Sequence, residues 1–264
     1  MNRTSTQRNG HPLGASPRAI HLVRTIVALG PVLAAFALCA DPVPVLLVTG
    51  QDHPAHPWRQ TAPVLRHILE ADARFQVRIT EDPQHLAAPG LERYRLVVLH
   101  FMNWEQPGPG PEARENLRRF VERGGGLAGV HFACGAWHGE WPAFVELLGR
   151  VWHGSGPGRS QHDPRGPFTV EITDPHHPVT RGLTNFVTDD ELYTCLEGTP
   201  PIRVLAQATS RVDGRSHPMA WVRHYGAGRV FFTTLGHDVP ALTNALVPQL
   251  LRQGCQWAAG LPPP

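Results

Sequence analysis

The sequence predicts an α/β fold in which a central, mostly parallel sheet carries helices on both faces, with additional strands in the second half. Two observations carry this. Through residues 43–131, continuous apolar runs alternate with amphipathic helical patterns, as strands buried on both faces require. After residue 168 the helical patterns lapse and several strand patterns follow one another before the chain closes in helix.

Residues 43–49 form an apolar run closed by Gly50, the first strand. A loop follows at 51–58, then a helix from about Thr61, with Val64, Leu65, Ile68 and Leu69 on its apolar face. Its start is set by Pro63, which is tolerable only in a first turn. Residues 75–80 and 96–100 are the next two strands, and a further helix is expected between Glu81 and Leu91. Residues 111–123 have clear helix punctuation: Pro111 opens, Glu112 suits the positive end, Arg123 suits the negative end, and Gly124-Gly125-Gly126 stops it. Residues 127–131 are a fourth strand.

Residues 168–173 alternate strictly and read as a half-exposed strand. Further strands are expected at 202–206, 218–225 and 229–235, with Tyr225-Gly-Ala-Gly228 as the hairpin turn between the last two. Helical segments at 240–259 are expected to kink at Pro248. The organisation that results is a leader at 1–40, one domain at 43–260 and a frayed tail at 261–264.

The chain has 264 residues, 41% of them hydrophobic and 17% charged, an ordinary globular balance. The formal net charge is +2, with no basic stripe, which excludes a nucleic-acid binder. Cys39 falls in the leader; Cys134, Cys195 and Cys255 have no CxxC spacing, which argues against a thiolate zinc site or a disulfide framework. In the leader, Arg3, Arg8, Arg18 and Arg24 precede an apolar run at 26–40 with Ala35, Ala37 and Ala40 near its end. This is a signal-peptide pattern, and cleavage near Ala37 or Ala40 is expected to release an exported, periplasmic or secreted, domain. A membrane anchor is the alternative, although the run is short for a span.

Sixteen histidines stand out more than the charge does, several of them where loops should lie. Ligands of open α/β sheets bind at the carboxyl ends of the strands. Those ends offer residues 51–56, 100–104 and 131–137. In Gly124-Gly-Gly-Leu-Ala-Gly-Val-His131-Phe-Ala-Cys134 a buried strand runs into a tight turn that presents His131 over the sheet. A neutral imidazole there suits a metal ligand or general base. Asp189-Asp190-Glu191 places three carboxylates before Tyr193; they either hold a cation and supply acid–base groups or form a solvated turn with a capping aspartate. His237 follows another buried strand, and Asp238 beside it is a plausible helix cap. His53 and His56 follow the first strand, and His162 lies in a Gly/Pro-rich loop. Trp104, Trp137, Trp141 and Trp152 are available to stack on a sugar ring or to anchor loops. Cys134 reads as a small core residue. His176-His177-Pro178 reads as a turn without chemistry.

Taken together, Gly124-Gly-Gly-Leu-Ala-Gly-Val-His131, Asp190-Glu191-Leu192-Tyr193, Tyr225-Gly-Ala-Gly-Arg-Val-Phe and Leu235-Gly-His237-Asp238, with His56 and His176-His-Pro178, resemble the ThuA-like (trehalose utilisation) family over residues 44–260. The resemblance implies a flavodoxin-like, class I glutamine amidotransferase-like three-layer sandwich. It also implies a place in the metabolism of trehalose or related disaccharides through 3-keto-glycosides. Amidotransferases of this fold carry a cysteine at the turn where His131 stands, and a late His-x-Glu pair where this chain has His237-Asp238-Val239, so the glutaminase triad is missing.

The expected function is therefore a carbohydrate-active hydrolase, lyase or isomerase. His131, Glu191 and His237 are its catalytic residues, by proton relay or as ligands of a divalent metal, zinc first. His56, Trp104, His162 and Tyr193 line the substrate cleft. The expected partner is a small carbohydrate, and a homo-oligomer is left open. A non-catalytic sugar-binding protein is the alternative; a thiol hydrolase built on Cys134 is a third, lacking an evident base.

Overall fold

Nine strands form one sheet in the computed structural model, which describes residues 41–244 and 246–262. In chain order they are β1 (Val43–Val48), β2 (Phe75–Thr80), β3 (Leu96–Leu99), β4 (Gly126–Val130), β6 (Gly166–Ile172), β7 (Phe186–Asp190), β9 (Arg203–Thr209), β10 (Ser216–Tyr225) and β11 (Gly228–Thr233). Two short strands, β5 (Gln161–His162) and β8 (Tyr193–Thr194), pair separately. The helices are α1 (Trp58–Glu70), α2 (Pro111–Glu122), α3 (Phe144–Leu148), α4 (Val239–Thr243) and α5 (Val247–Ala258).

The sheet order is β2-β1-β3-β4-β11-β10-β9-β6-β7. The first five of these strands are parallel and the last four antiparallel. The parallel strands are buried on both faces, which explains their unbroken apolar runs. On one face Val45, Leu47, Val98 and Phe231 pack against Leu65 and Leu69 of α1 and Leu250 and Leu251 of α5. On the other, Leu46, Val48, Val97 and Phe232 pack against Leu117 and Val121 of α2 and Leu147 of α3. The alternation of neighbours between the two cores is the period of two that a strand imposes.

The chain leaves β1 through α1 toward β2, and leaves β3 through α2 on the opposite face toward β4. The crevice at such a reversal is the usual ligand site of an open parallel sheet. Adjacent β4 and β11 hold the register Val130↔Thr233. The carboxyl ends of β1, β3, β4 and β11 therefore open at one edge, carrying residues 49–57, 100–110, 131–137 and 234–238.

Several expectations are corrected. The region 81–93 contains two short 3-10 turns, Pro83–Ala87 and Leu91–Arg93, rather than an α-helix. Pro83, Pro89 and Gly90 leave no uninterrupted stretch long enough for one. The first helix starts at Trp58, so Pro63 sits in its second turn; the Trp58 indole donates to Asp52 Oδ1 at 2.7 Å and pins the entry. Pro248 does not kink a long helix. It opens α5, and Asn244, extended, ends α4. β7 lies where only a carboxylate cluster had been read. The leader at 1–40 and the last two residues of the tail lie outside the described residues. Among the described residues, no helix is long and apolar enough to cross a membrane.

Gly126, at the start of β4, is where α5 meets the sheet. A Cβ there would lie 2.4 Å from the Ala258 carbonyl oxygen, and backbone cannot yield cheaply. Gly126→Ala is expected to destabilise the fold by about 1–3 kcal/mol in urea unfolding. An unchanged midpoint would show that α5 is free to shift away from β4.

Candidate functional site

His131 follows β4 directly and opens a 3-10 turn, His131–Gly135, in place of a further strand residue. Its φ is +47°, a left-handed conformation that costs a non-glycine residue on the order of 1 kcal/mol or more. Gln51, Trp137 and Cys195, the other described non-glycine residues with positive φ, all lie in loops. His131 is fully buried.

Its two ring nitrogens have different partners. Nδ1 lies 2.6 Å from the carbonyl oxygen of Thr234 at the end of β11. A carbonyl only accepts, so Nδ1 carries the hydrogen and a neutral ring presents its lone pair at Nε2. Around Nε2 stand the Tyr193 hydroxyl at 2.9 Å, His237 Nδ1 at 3.2 Å and Glu191 Oε2 at 3.5 Å. Glu191 Oε2 is also 3.2 Å from His237 Nδ1.

His56 completes the group from the loop after β1. One ligand atom from each of His56, His131 and His237 fits within a set no wider than 4.8 Å. The three rings form a near-equilateral triangle, with centroids 5.2–5.4 Å apart. His56 is buried and stacked on Phe132 at 4.5 Å, and its Nδ1 has no hydrogen-bond partner. Burial, reinforced by His131 and His237, pushes its pKa down to about 2. It is therefore a neutral imidazole with an unused nitrogen. His100, at the end of β3, is held between the Thr49 and Thr61 hydroxyls and stays outside the group.

Burial opposes ionisation of Glu191, but the neighbouring His131 and His237 imidazoles outweigh it and hold the carboxyl well below its usual range. Burial likewise opposes the His237 cation, yet the Glu191 hydrogen bond and neighbouring carboxylates raise its pKa. The pair holds one proton between a carboxylate and an imidazole, beside the lone pair of His131.

The carboxylate run divides into three roles. Asp189 is exposed and meets Arg165. Glu191 faces the histidines. Asp190 is fully buried, and its carboxylate accepts from the backbone N–H groups of Gly236 at 2.7 Å, His237 at 3.2 Å and Glu191 at 2.8 Å. It ties the segment bearing Glu191 to the turn bearing His237. This role was not anticipated; the signal was the in–out alternation of Phe186, Thr188 and Asp190, which marks a strand. Asp238 caps α4 by accepting from the Ala241 N–H, as its position suggested.

Of the expected cleft residues, Tyr193 is buried with its hydroxyl on His131, and burial raises its pKa well above the usual value. His162 stands at the rim, 3.8 Å from Glu191 Oε1. Trp104 is exposed and borders a neighbouring cleft with Trp152. His53 stacks on His56 and faces Glu105, one step outside the group. Cys134 is buried in the core beside α3, and burial raises its thiol pKa far above the ordinary range, in keeping with packing rather than nucleophilic use.

Asp190→Asn would set an amide NH2 against one or two N–H donors. The expected cost is about 1–3 kcal/mol of stability, with faster hydrogen exchange at the Gly236 and His237 amides. Unaltered exchange at those two amides would show that the turn is held by other contacts.

A family model described as trehalose utilisation, ThuA, matches residues 44–258. A ThuA-like protein from Parabacteroides merdae is 27% identical with a TM-score of 0.74, over 84% of this chain and 91% of that one. A ThuA-like protein from Bacteroides uniformis is 23% identical with a TM-score of 0.66, over 83% and 92%. A cold-adapted β-galactosidase from Rahnella shares the fold at 16% identity and a TM-score of 0.54, over 84% of this chain but 32% of its own. A search of curated protein sequences returned no match. With the match spanning almost all of the described residues, the chain belongs to the ThuA, trehalose utilisation, family.

Proposed function

We propose that the chain is a carbohydrate-active enzyme whose centre is a divalent metal site, zinc before other ions, formed by His56, His131 and His237 with Glu191 against it. One observation carries this reading: three imidazoles converge within 4.8 Å at the carboxyl edge of the parallel strands, one of them neutral with an orphaned buried nitrogen.

The residues fit such an ion. Two nitrogens bonded to one tetrahedral zinc lie roughly 3.3 Å apart. His131 Nε2 and His237 Nδ1 are already 3.2 Å apart. A ligating histidine ordinarily donates its other N–H to a carbonyl or carboxylate, as His131 does to Thr234. An imidazole and carboxylate donor set suits zinc among the divalent ions. When bound, the ion would supply Lewis-acid polarisation of a sugar oxygen.

The protein groups supply the proton chemistry. Glu191 is ionised and half-shielded from water, a base beside the reacting position. His237, with its raised pKa, carries a proton beside it only while no metal is bound. The Tyr193 hydroxyl is a second donor on the His131 side. A carboxylate base at Glu191 and a hydroxyl donor at Tyr193 suit proton abstraction next to a sugar carbonyl, or protonation of a glycosidic oxygen. Those steps belong to lyases, isomerases and hydrolases of keto-glycosides. The exported location is part of this proposal and rests on the arginines and apolar run of the leader.

Elemental analysis of the purified chain, after exposure to zinc and removal of excess, is expected to find about one ion per chain. His131→Ala and His237→Ala are expected to abolish it, and His56→Ala to weaken binding. Absence of metal from the parent after reconstitution would overturn the metal centre and leave the Glu191–His237 pair or simple sugar binding.

Zinc affinity should also depend on pH in one direction. His237 must give up its proton to bind, and its pKa is raised, so affinity should climb as pH rises through the histidine range and level off above it. His56, already neutral, adds nothing to that slope. Affinity that is flat between pH 5.5 and 8 in competition titrations with a chelating dye would remove His237 from the ligand set.

A further inference from the structure

Beside the histidine centre lies a cleft of about 810 Å³ that the proton chemistry does not use. Two tryptophans form one side of it. Trp104, in the loop after β3, is 42% exposed, a rare position for an indole. Its Nε1 is 3.3 Å from the Gly135 carbonyl, so the ring is oriented while much of it stays open. Trp152 stands 5.6 Å away, tilted by 48°.

The polar lining is close to neutral. Asn103, only 5% exposed, donates from Nδ2 to Glu140 Oε1 at 2.7 Å, while its Oδ1 is buried without a partner. Glu140 is fully engaged by Asn103, by the Gly108 N–H at 3.0 Å and by Arg114 at 2.8 Å. Its charge is thus met by an arginine. Glu105 and Arg159, also on the lining, offset each other, and no run of cations is present to hold a phosphate.

Open indole surface, an unused carbonyl acceptor and balanced charge suit a neutral ring with C–H bonds on its faces and hydroxyls at its rim. The cleft adjoins the centre through two of its walls. Trp152 packs edge-on against Tyr193 at 4.9 Å, and His162, on the cleft wall, is 3.8 Å from Glu191.

We propose that this cleft is a second-ring subsite. The substrate is a neutral disaccharide or glycoside whose reacting ring sits at the histidine group and whose other ring lies on Trp104 and Trp152. This rests on the carbohydrate reading above and specifies what the substrate carries beyond the reacting ring.

The test is calorimetric titration of the full chain with trehalose, maltose, cellobiose and sucrose, each compared with glucose, with zinc content measured on the same samples. At least one disaccharide is expected to bind on the order of tenfold tighter than glucose or better. Trp104→Ala should reduce that disaccharide to the glucose level and leave zinc content unchanged. Trp152→Phe, which keeps an aromatic against Tyr193, should weaken it less. No disaccharide preference in the parent, no sugar binding at all, or a preference that survives Trp104→Ala would each overturn the subsite. The two proposals fail separately: absent zinc with an intact, Trp104-dependent preference sinks only the metal centre, and bound zinc without the preference sinks only the subsite.

Discussion

The hydrogen bond from His131 Nδ1 to the Thr234 carbonyl joins the ends of two adjacent parallel strands and decides which histidine nitrogen remains available. Everything else at the edge is arranged around Nε2. The bond needs the imidazole to turn back across β11, which an extended residue at the end of β4 would not allow. The left-handed φ at His131 is the conformational cost of that turn. Burial on all sides makes the choice of tautomer firm, because the opposite one would set a lone pair against a carbonyl oxygen in a low-dielectric interior.

The antiparallel half of the sheet has a role that its edge position does not suggest. β7 is the outermost strand, four strands away from β11, yet its last residue reaches the turn after β11. Asp190 does this through backbone N–H groups, which are fixed in place, rather than through a mobile cation. The chain then continues at once into Glu191 and, two residues later, Tyr193, so one clamp delivers a carboxylate and a phenol to the two histidines. The parallel strands supply His56, His131 and His237; the antiparallel extension supplies the acid–base groups that meet them. Side chains fixed by the rigid core thus meet groups delivered by a separate segment.

The parts of this arrangement legible in the sequence were those written in local pattern. The runs at β1, β3 and β4 are apolar because both faces are buried, and they read correctly to within a residue or two. His131, Glu191 and His237 were singled out because each follows a strand pattern or a carboxylate cluster, and the structure brings all three within 3.5 Å of one another. His56 was assigned to the cleft rather than to the group, since HxxH spacing does not reveal that the loop after β1 folds back over β4. The strand β7 was hidden by its own chemistry: two aspartates in five residues oppose strand propensity, and only the burial of Asp190 by three N–H donors makes the position tolerable. Likewise nothing local distinguishes Asn103 from ordinary loop residues, and Trp152 is one of four tryptophans that the sequence leaves open between stacking and anchoring, because their significance lies in what stands opposite them.

A histidine where related folds place a nucleophile changes what the turn can do. Strain at a strand–turn–helix junction ordinarily exposes an oxygen or sulfur for covalent attack. Here the same strain exposes an imidazole lone pair whose other nitrogen is held by a carbonyl. His131 is thus a fixed acceptor at Nε2, the form that a general base and a metal ligand both need. A proton is shared between Glu191 and His237, whose carboxyl pKa is lowered and imidazole pKa raised. Cys134, three residues on and fully buried, has no access to either. The strained junction thus presents a fixed nitrogen acceptor, and the Glu191–His237 pair stands beside it.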